Sequence, residues 1–184
     1  MKKNVMIDLE TLGTRAGCVI LEIGVVGFDE GDGPEDYETW ESGLIALESC
    51  TLKGMHVAAD TLKWWVRQAG FAGMLGGEVD FKEVIRTGCE FIADVRAEEA
   101  RVWCWGASFD FPILKDALYR GKMPVPWEHW EERCARTLCQ TLGVRRIDQT
   151  AHRALADALG QTDAVLRALG RLAWCREIDA ELGS

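Results

Sequence analysis

An α/β domain built on a mixed sheet is the fold class this sequence predicts. The first third of the chain reads as a β-meander, and from Asp60 onward helical segments alternate with a short apolar strand. In addition, 48% of the 184 residues are hydrophobic and 28% charged, enough apolar material for one core, and no low-complexity tract or linker marks a boundary. Residues 1–184 are therefore expected to form a single domain.

The elements follow in order. Lys3 to Leu9 is a short apolar run that ends in acids and Thr11-Leu12-Gly13, which suits a buried strand opening into a turn. Val19 to Phe28 is β-branched and is stopped by Asp29 to Pro34, so a second strand is expected after a turn. Tyr37 to Ile45 alternates loosely and reads as a third strand, whereas Cys50 to Ala59 has no clear period. Asp60 suits the cap of a helix over Thr61 to Gln68, closed by Ala69-Gly70 and followed by a Gly-rich loop to Gly77. Asp80 opens a second helix with Val84, Cys89, Phe91, Ile92 and Val95 roughly on one face, ending near Arg96. Arg101 to Trp105 is a short strand broken by Gly106-Ala107-Ser108. Asp110 and Pro112 begin a helix to about Arg120, and Pro124 and Pro126 mark a loop. Trp130–Leu142 and Leu155–Ala173 are expected to be helical.

Charge and cysteine usage exclude several classes. No window reaches the roughly 18 apolar residues of a membrane span, and only Lys2 and Lys3 precede the first strand, so a soluble, cytoplasmic protein with no membrane partner is expected. Seven cysteines without a C-x-x-C pair predict reduced, mostly buried thiols; Cys134 and Cys139 lack the second pair of a zinc site. The net charge of −9 argues against a basic coat for nucleic acid, though not against a nuclease whose acids hold metal.

The acids carry the chemistry. Two-metal phosphoryl hydrolysis needs carboxylates converging where strands end, because two divalent ions about 3.5–4 Å apart must be held, and magnesium takes oxygen ligands. Asp8 and Glu10 supply two at the end of the first strand. Chance alone supplies about one Asp-x-Glu at this composition; Asp36–Glu38 and Asp179–Glu181 share the spacing, but only Asp8–Glu10 sits on an apolar strand. Asp110 follows the strand ending at Trp105, a position that equally suits a helix N-cap. His152 to Asp157 is an H-x4-D, expected by chance about 0.2 times with three histidines. Five helical steps would leave the two side chains about 140° apart. His152 is therefore placed just before the helix, where a neutral imidazole can act as general base while Asp157 turns inward as a ligand. An exposed histidine beside a surface aspartate is the competing reading.

Together, Val5 to Gly13, Trp105 to Asp110 and His152 to Asp157 resemble the DEDDh exonucleases of the DnaQ-like, RNase H-like superfamily. Gly24 to Asp29, Thr61 to Gln68 and Arg136-Thr137-Leu138 further resemble a DexA-like phage branch close to certain bacterial exoribonucleases. The resemblance covers about residues 3–170. It implies a mixed five-stranded sheet flanked by helices and removal of nucleoside monophosphates from single-stranded DNA or RNA 3′ ends with two Mg2+ or Mn2+ ions. It also implies roles: Asp8, Glu10 and Asp157 around one metal, Asp8 shared with the second, Asp110 supporting that second ion, and His152 as base. Thr11, Leu12, Gly13 and Phe109 would meet the terminal nucleotide. Trp105 stands where relatives commonly have Asn, which implies local rearrangement, and a homodimer is left open.

Rival readings remain at this point. Asp8-Leu9-Glu10-Thr11 vaguely resembles the phosphatase pattern of haloacid-dehalogenase-like enzymes, but Glu10 stands where that family has its acid aspartate. A lapsed module that only binds nucleic acid or protein is opposed by the intact acids, whose mutual repulsion is costly without a metal. Arg145, Arg146 and Arg153 could meet substrate phosphates or face solvent. Trp64 and Trp65 are about 100° apart on a helix, so at most one points wholly inward; Trp127 and Trp130 could border the substrate path or form a surface patch.

Overall fold

The computed structural model describes residues 1–146 and 152–182, with residues 178–182 described as helical backbone only; the side chains of Asp179 and Glu181 lie outside the described set. Strand β1 (Lys2–Thr11) is the centre of a five-stranded sheet ordered β3-β2-β1-β4-β5. It pairs antiparallel with β2 (Ile20–Phe28), which pairs antiparallel with β3 (Glu38–Glu41). On its other side β1 runs parallel to β4 (Arg96–Cys104), and β4 runs parallel to β5 (Glu132–Cys134).

Strand alternation divides β1 between two cores. Val5, Ile7 and Leu9 point into the larger one, against Val84, Ile85 and Ile92 of α4 (Phe81–Val95) and Ile113, Leu114 and Leu118 of α5 (Asp110–Gly121). Met6 faces the opposite side and packs with Val26, Phe28, Trp103 and Ala158, Val165 and Leu169 of a long helix, Ala154–Leu182. Full burial of a side chain such as Ile7 contributes about 1.5–3 kcal/mol. Being covered on both faces, β1 reads as a nearly continuous apolar run, and its only acids stand at its carboxyl end.

The four strands and most helices expected from the residues are present, with corrections. Three short helices precede α4: α1 (Leu47–Thr51), where the sequence has no clear period, α2 (Ala59–Trp65), and α3 (Phe71–Met74) in the Gly-rich loop. Ala58, not Asp60, occupies the N-cap of α2, and Asp60 instead pairs with Lys63. Asp80 caps α4 as expected, accepting hydrogen bonds from the N–H groups of Lys82 and Glu83. Strand β3 is shorter than Tyr37–Ile45, because Ser42 turns its hydroxyl onto the Ile23 N–H and Gly43 adopts φ +63°. The helix expected over Trp130–Leu142 is a 3-10 turn at His129–Glu131, then β5, then α6 (Ala135–Thr141). Three residues, Glu132-Arg133-Cys134, are too few to show a period, and pairing with Val102–Cys104 makes them a strand. The last helix, α7, runs from Ala154 past the expected Ala173 to Leu182.

Helix α7 lies against β2 because Gly24 has no side chain. A Cβ there would stand 2.4 Å from the Ala154 carbonyl carbon and the Leu155 nitrogen. All seven cysteines are free and five are buried. Among the described residues no helix is long and apolar enough to cross a membrane.

Candidate metal centre and substrate cleft

Asp8 and Glu10 share one face of β1, two residues apart, on the side covered by α7. Asp8 accepts a hydrogen bond from the Gln161 amide of α7 at 2.5 Å. Glu10, 8% exposed, stands in register with Glu22 of β2. Asp110, 4% exposed, is the first residue of α5 rather than its cap, and its carboxylate faces the Gly106 N–H at 3.4 Å. Asp157 is 6% exposed in the first turn of α7. His152 lies just before that helix, as the H-x4-D spacing requires, with φ +42°. Glu10, His152 and Asp157 each offer a donor atom within 4.8 Å of the others.

These acids are mutually strained. Burial, followed by the charges of Asp110 and Glu10, holds the Asp8 carboxyl well above its usual range. Burial and the nearby Asp157 and Glu22 push Glu10 up to about 8. Burial raises Asp110 to about 7, partly offset by the Gly106 N–H and the Cys104 thiol. Crowded, desolvated carboxylates of this kind fit a divalent cation, whose charge removes the repulsion and whose oxygen preference the donors meet.

The sign of the resulting pH dependence follows. A folded-state carboxyl with a raised pKa holds a proton that the unfolded chain has released, so its stabilisation is present at low pH and lost as pH rises through the folded value. For Glu10 that window runs from about 4.5 to about 8. The expected result is a metal-free Tm that falls between about pH 5 and about pH 8, with a smaller fall when Mn2+ is present, since the metal binds the deprotonated form. A metal-free Tm that rises over that interval would contradict the assignment.

Beside the acids is a cleft of about 440 Å3 lined by Glu10, Thr11, Gly13, Asp60, Trp64, Trp65 and Phe109 among others. A register shift between Glu10 and Thr11 turns the chain into it. The Thr11 hydroxyl donates to the Gly13 carbonyl at 2.7 Å, and the Thr11 carbonyl accepts the indole N–H of Trp65 at 2.8 Å. Gly13 passes so close to Cys18 that a Cβ would fall 2.5 Å from that residue's Cβ. Leu12 lies beside the cleft but is 1% exposed, with its side chain in the core and its backbone tied to Val19 and Ala58. Trp64 and Trp65 divide as the helical angle requires: Trp65 is buried and Trp64 is 43% exposed. Both rings meet His152 edge-on, with centroids at 5.0 and 5.8 Å.

Other candidates are reassigned. Trp127 is in the core, packed on Phe111 and donating to Glu132, away from the cleft; Trp130 is exposed. Arg153 forms an ion pair with the buried Glu22 while its side chain stays about half exposed. Arg146 lies over the Trp105 ring at 5.3 Å and 3.8 Å from Asp157, so the residue standing in place of Asn carries a cation beside the site. An amide does support Asp8, but it comes from Gln161. Sequence reading missed Gln161, Glu22 and Gly24. Gln161 lies four residues after Asp157, one helical turn along, and that spacing was the available signal.

Sheet order, two-faced central strand and acids gathered at its end define the RNase H-like nuclease fold. It is shared with the S. pombe Pop2p structure in its Mg2+- and Mn2+-bound form, at 16% identity and TM-score 0.57 over 90% of this chain and 82% of that one. It is shared also with the nuclease domain of 3′hExo, a DEDDh family member bound to rAMP, at 10% identity and TM-score 0.59 over 91% of each chain. The chain belongs to the family described as the 3′-5′ exoribonuclease Rv2179c-like domain, whose model matches residues 3–169. It is also 27% identical over 130 residues to an exodeoxyribonuclease of Enterobacteria phage T4 and spans about half, 54%, of that protein's length.

Proposed function

We propose that this chain is a divalent-metal-dependent 3′-to-5′ exonuclease that releases nucleoside monophosphates from single-stranded DNA or RNA ends. The observation that carries the reading is the convergence of Glu10, His152 and Asp157 within 4.8 Å at the edge of the Thr11–Phe109 cleft. Family membership supports the direction of attack.

In this reading Asp8, Glu10, Asp110 and Asp157 hold two Mg2+ or Mn2+ ions. When bound, the ions supply an activated water and stabilise charge on the phosphate and the leaving 3′ oxygen. His152 takes a proton from the attacking water, which adds to phosphorus; the bond to the 3′ oxygen of the preceding nucleotide breaks, and that oxygen takes a proton from solvent as it leaves. The backbone of Thr11 to Gly13 and the face of Phe109 receive the terminal nucleotide. The protein's net charge of −9 disfavours tight nonspecific binding to long duplexes.

The test is a time course on 5′-labelled single strands of DNA and RNA of equal sequence, with Mg2+ or Mn2+ and a 3′-blocked control. A ladder shortening from the free 3′ end is expected, and its rate on the two strands gives the sugar preference. No shortening of either strand with either metal would make a binding module the better reading.

A further inference from the structure

Glu22 is an acid beside the metal centre that the family motifs leave out. It is fully buried in β2, directly opposite Glu10. A buried acid next to three others would ordinarily be taken for another metal ligand, but its oxygens are already occupied. Oε1 accepts from the Arg153 Nε at 3.0 Å and Nη2 at 2.6 Å; Oε2 accepts from the same Nε at 3.0 Å and from the Ala154 N–H at 2.9 Å. A carboxylate has about four lone-pair sites, and three N–H donors, one of them shared between both oxygens, already engage this one.

We propose that Glu22 and Arg153 are positioning residues, a clamp that fixes the start of α7 on β2 and thereby places His152 and Asp157 against Glu10. The inference rests on the exonuclease reading for its consequence, not for its geometry. The clamp grips residues 153 and 154, immediately after His152 and three before Asp157. It works with Gly24, whose missing side chain lets the Ala154 backbone touch the sheet. The Asp157 N–H closes the first helical turn onto the Arg153 carbonyl at 2.9 Å, so a shift at Arg153 is transmitted to the ligand. Glu22 satisfies a backbone N–H that no earlier turn of α7 could, and its charge suits a helix N-terminus. The guanidinium fork in turn offsets part of the repulsion that Glu22 exerts on Glu10 across the strand pair.

The clamp also explains how His152 keeps its backbone at φ +42° while its ring meets Trp64 and Trp65. One side is held by the two indoles and the other by Arg153. Released at Arg153, the residue can relax to an ordinary backbone conformation and swing its ring away from the acids.

The experiment uses Arg153→Gln, Arg153→Lys and Glu22→Gln. Glu22→Gln keeps the shape and an oxygen for the Ala154 N–H, so it preserves the fold if removing the fork does not. The spectra of the three histidines are recorded first, without substrate. The His152 imidazole resonances, displaced by the two indole ring currents in the wild type, move toward solvent-exposed values in Arg153→Gln and Glu22→Gln, while those of His56 and His129 stay. kcat on a single-stranded oligonucleotide falls about 10–100-fold with KM little changed, the scale for outer groups that orient ligands, and Arg153→Lys recovers part of it. In a His152→Ala background the same changes cost less, because one of the two groups they place is gone and only the displacement of Asp157 remains. Unmoved His152 resonances, or kcat losses that add fully to that of His152→Ala, would overturn the proposal. Loss of one bound Mn2+ in Glu22→Gln but not in Arg153→Gln, measured by calorimetry, would overturn it in favour of Glu22 as a ligand. A wild-type protein that fails to cleave would sink the exonuclease reading alone, since the spectra need no turnover.

Discussion

Replacing Asp157 by alanine is expected to abolish hydrolysis and to leave the metal-free protein folded with an equal or higher Tm near neutral pH. Both halves come from one position. Asp157 is buried in the first turn of α7, where its carboxylate is the charge that acts most strongly on Glu10. Removing it takes away a donor from the Glu10–His152–Asp157 group, and two-metal hydrolysis does not survive a ligand set that no longer holds its ion. The same change removes the repulsion that Asp157 exerts on Glu10 and Asp8. It deletes a short polar side chain beside an open cleft, where water can enter, rather than apolar volume from the core. The variant is measured by the 3′-end ladder and by a thermal melt in chelator. Hydrolysis retained in a carefully purified sample would remove Asp157 from the metal site. A Tm far below wild type would mean that its contact with Arg146 stabilises more than its repulsion costs.

The candidate site residues were legible because each stands where an element begins or ends. Asp8 and Glu10 close an apolar strand, Asp110 opens a helix after a Gly-Ala-Ser turn, and His152 and Asp157 straddle a helix start. Local pattern records such junctions. The groups that hold them in place were not legible, because their partners are distant in sequence. Glu22 looks like any acid in a β-branched run, and only folding brings Arg153, 131 residues away, onto it. Gln161 is a polar residue on a helix until α7 packs over Asp8. Gly24 looks like a weak point in a strand, and its requirement exists only against the backbone of Ala154.

The same distinction explains the errors in secondary structure. β5 has three residues and no apolar alternation, so its existence depends on the edge that β4 offers. The amino-terminal half of β4, Arg96 to Arg101, is polar and bends at Glu99 with φ +58°, which hides it from a search for apolar runs. By contrast β1, β2 and α4 are buried along their length or on one face, and their boundaries were near those read from composition. Trp65 and Trp127 follow the same rule: a tryptophan invites a base-stacking role, but these two supply core packing and an N–H for a buried acceptor.

Replacing His152 is the second change with a large expected effect. In His152→Ala, kcat falls by about 10²–10⁴-fold, the usual scale for a general base, while Mn2+ still binds. The imidazole shares its place with Glu10 and Asp157, so a ligand role is the competing account. The two separate on metal affinity: a lost base leaves the carboxylates to hold the ions, whereas a lost ligand lowers affinity and kcat together. Backbone conformation is a second variable, because φ +42° is unfavourable for alanine and tolerated by asparagine. His152→Asn therefore serves as the control. If it is as slow as His152→Ala and binds Mn2+ as the wild type does, the deficit belongs to the missing base and not to a displaced helix start. If it recovers most of the rate, the imidazole was not taking the proton, and the contribution of His152 lay in the turn that it allows.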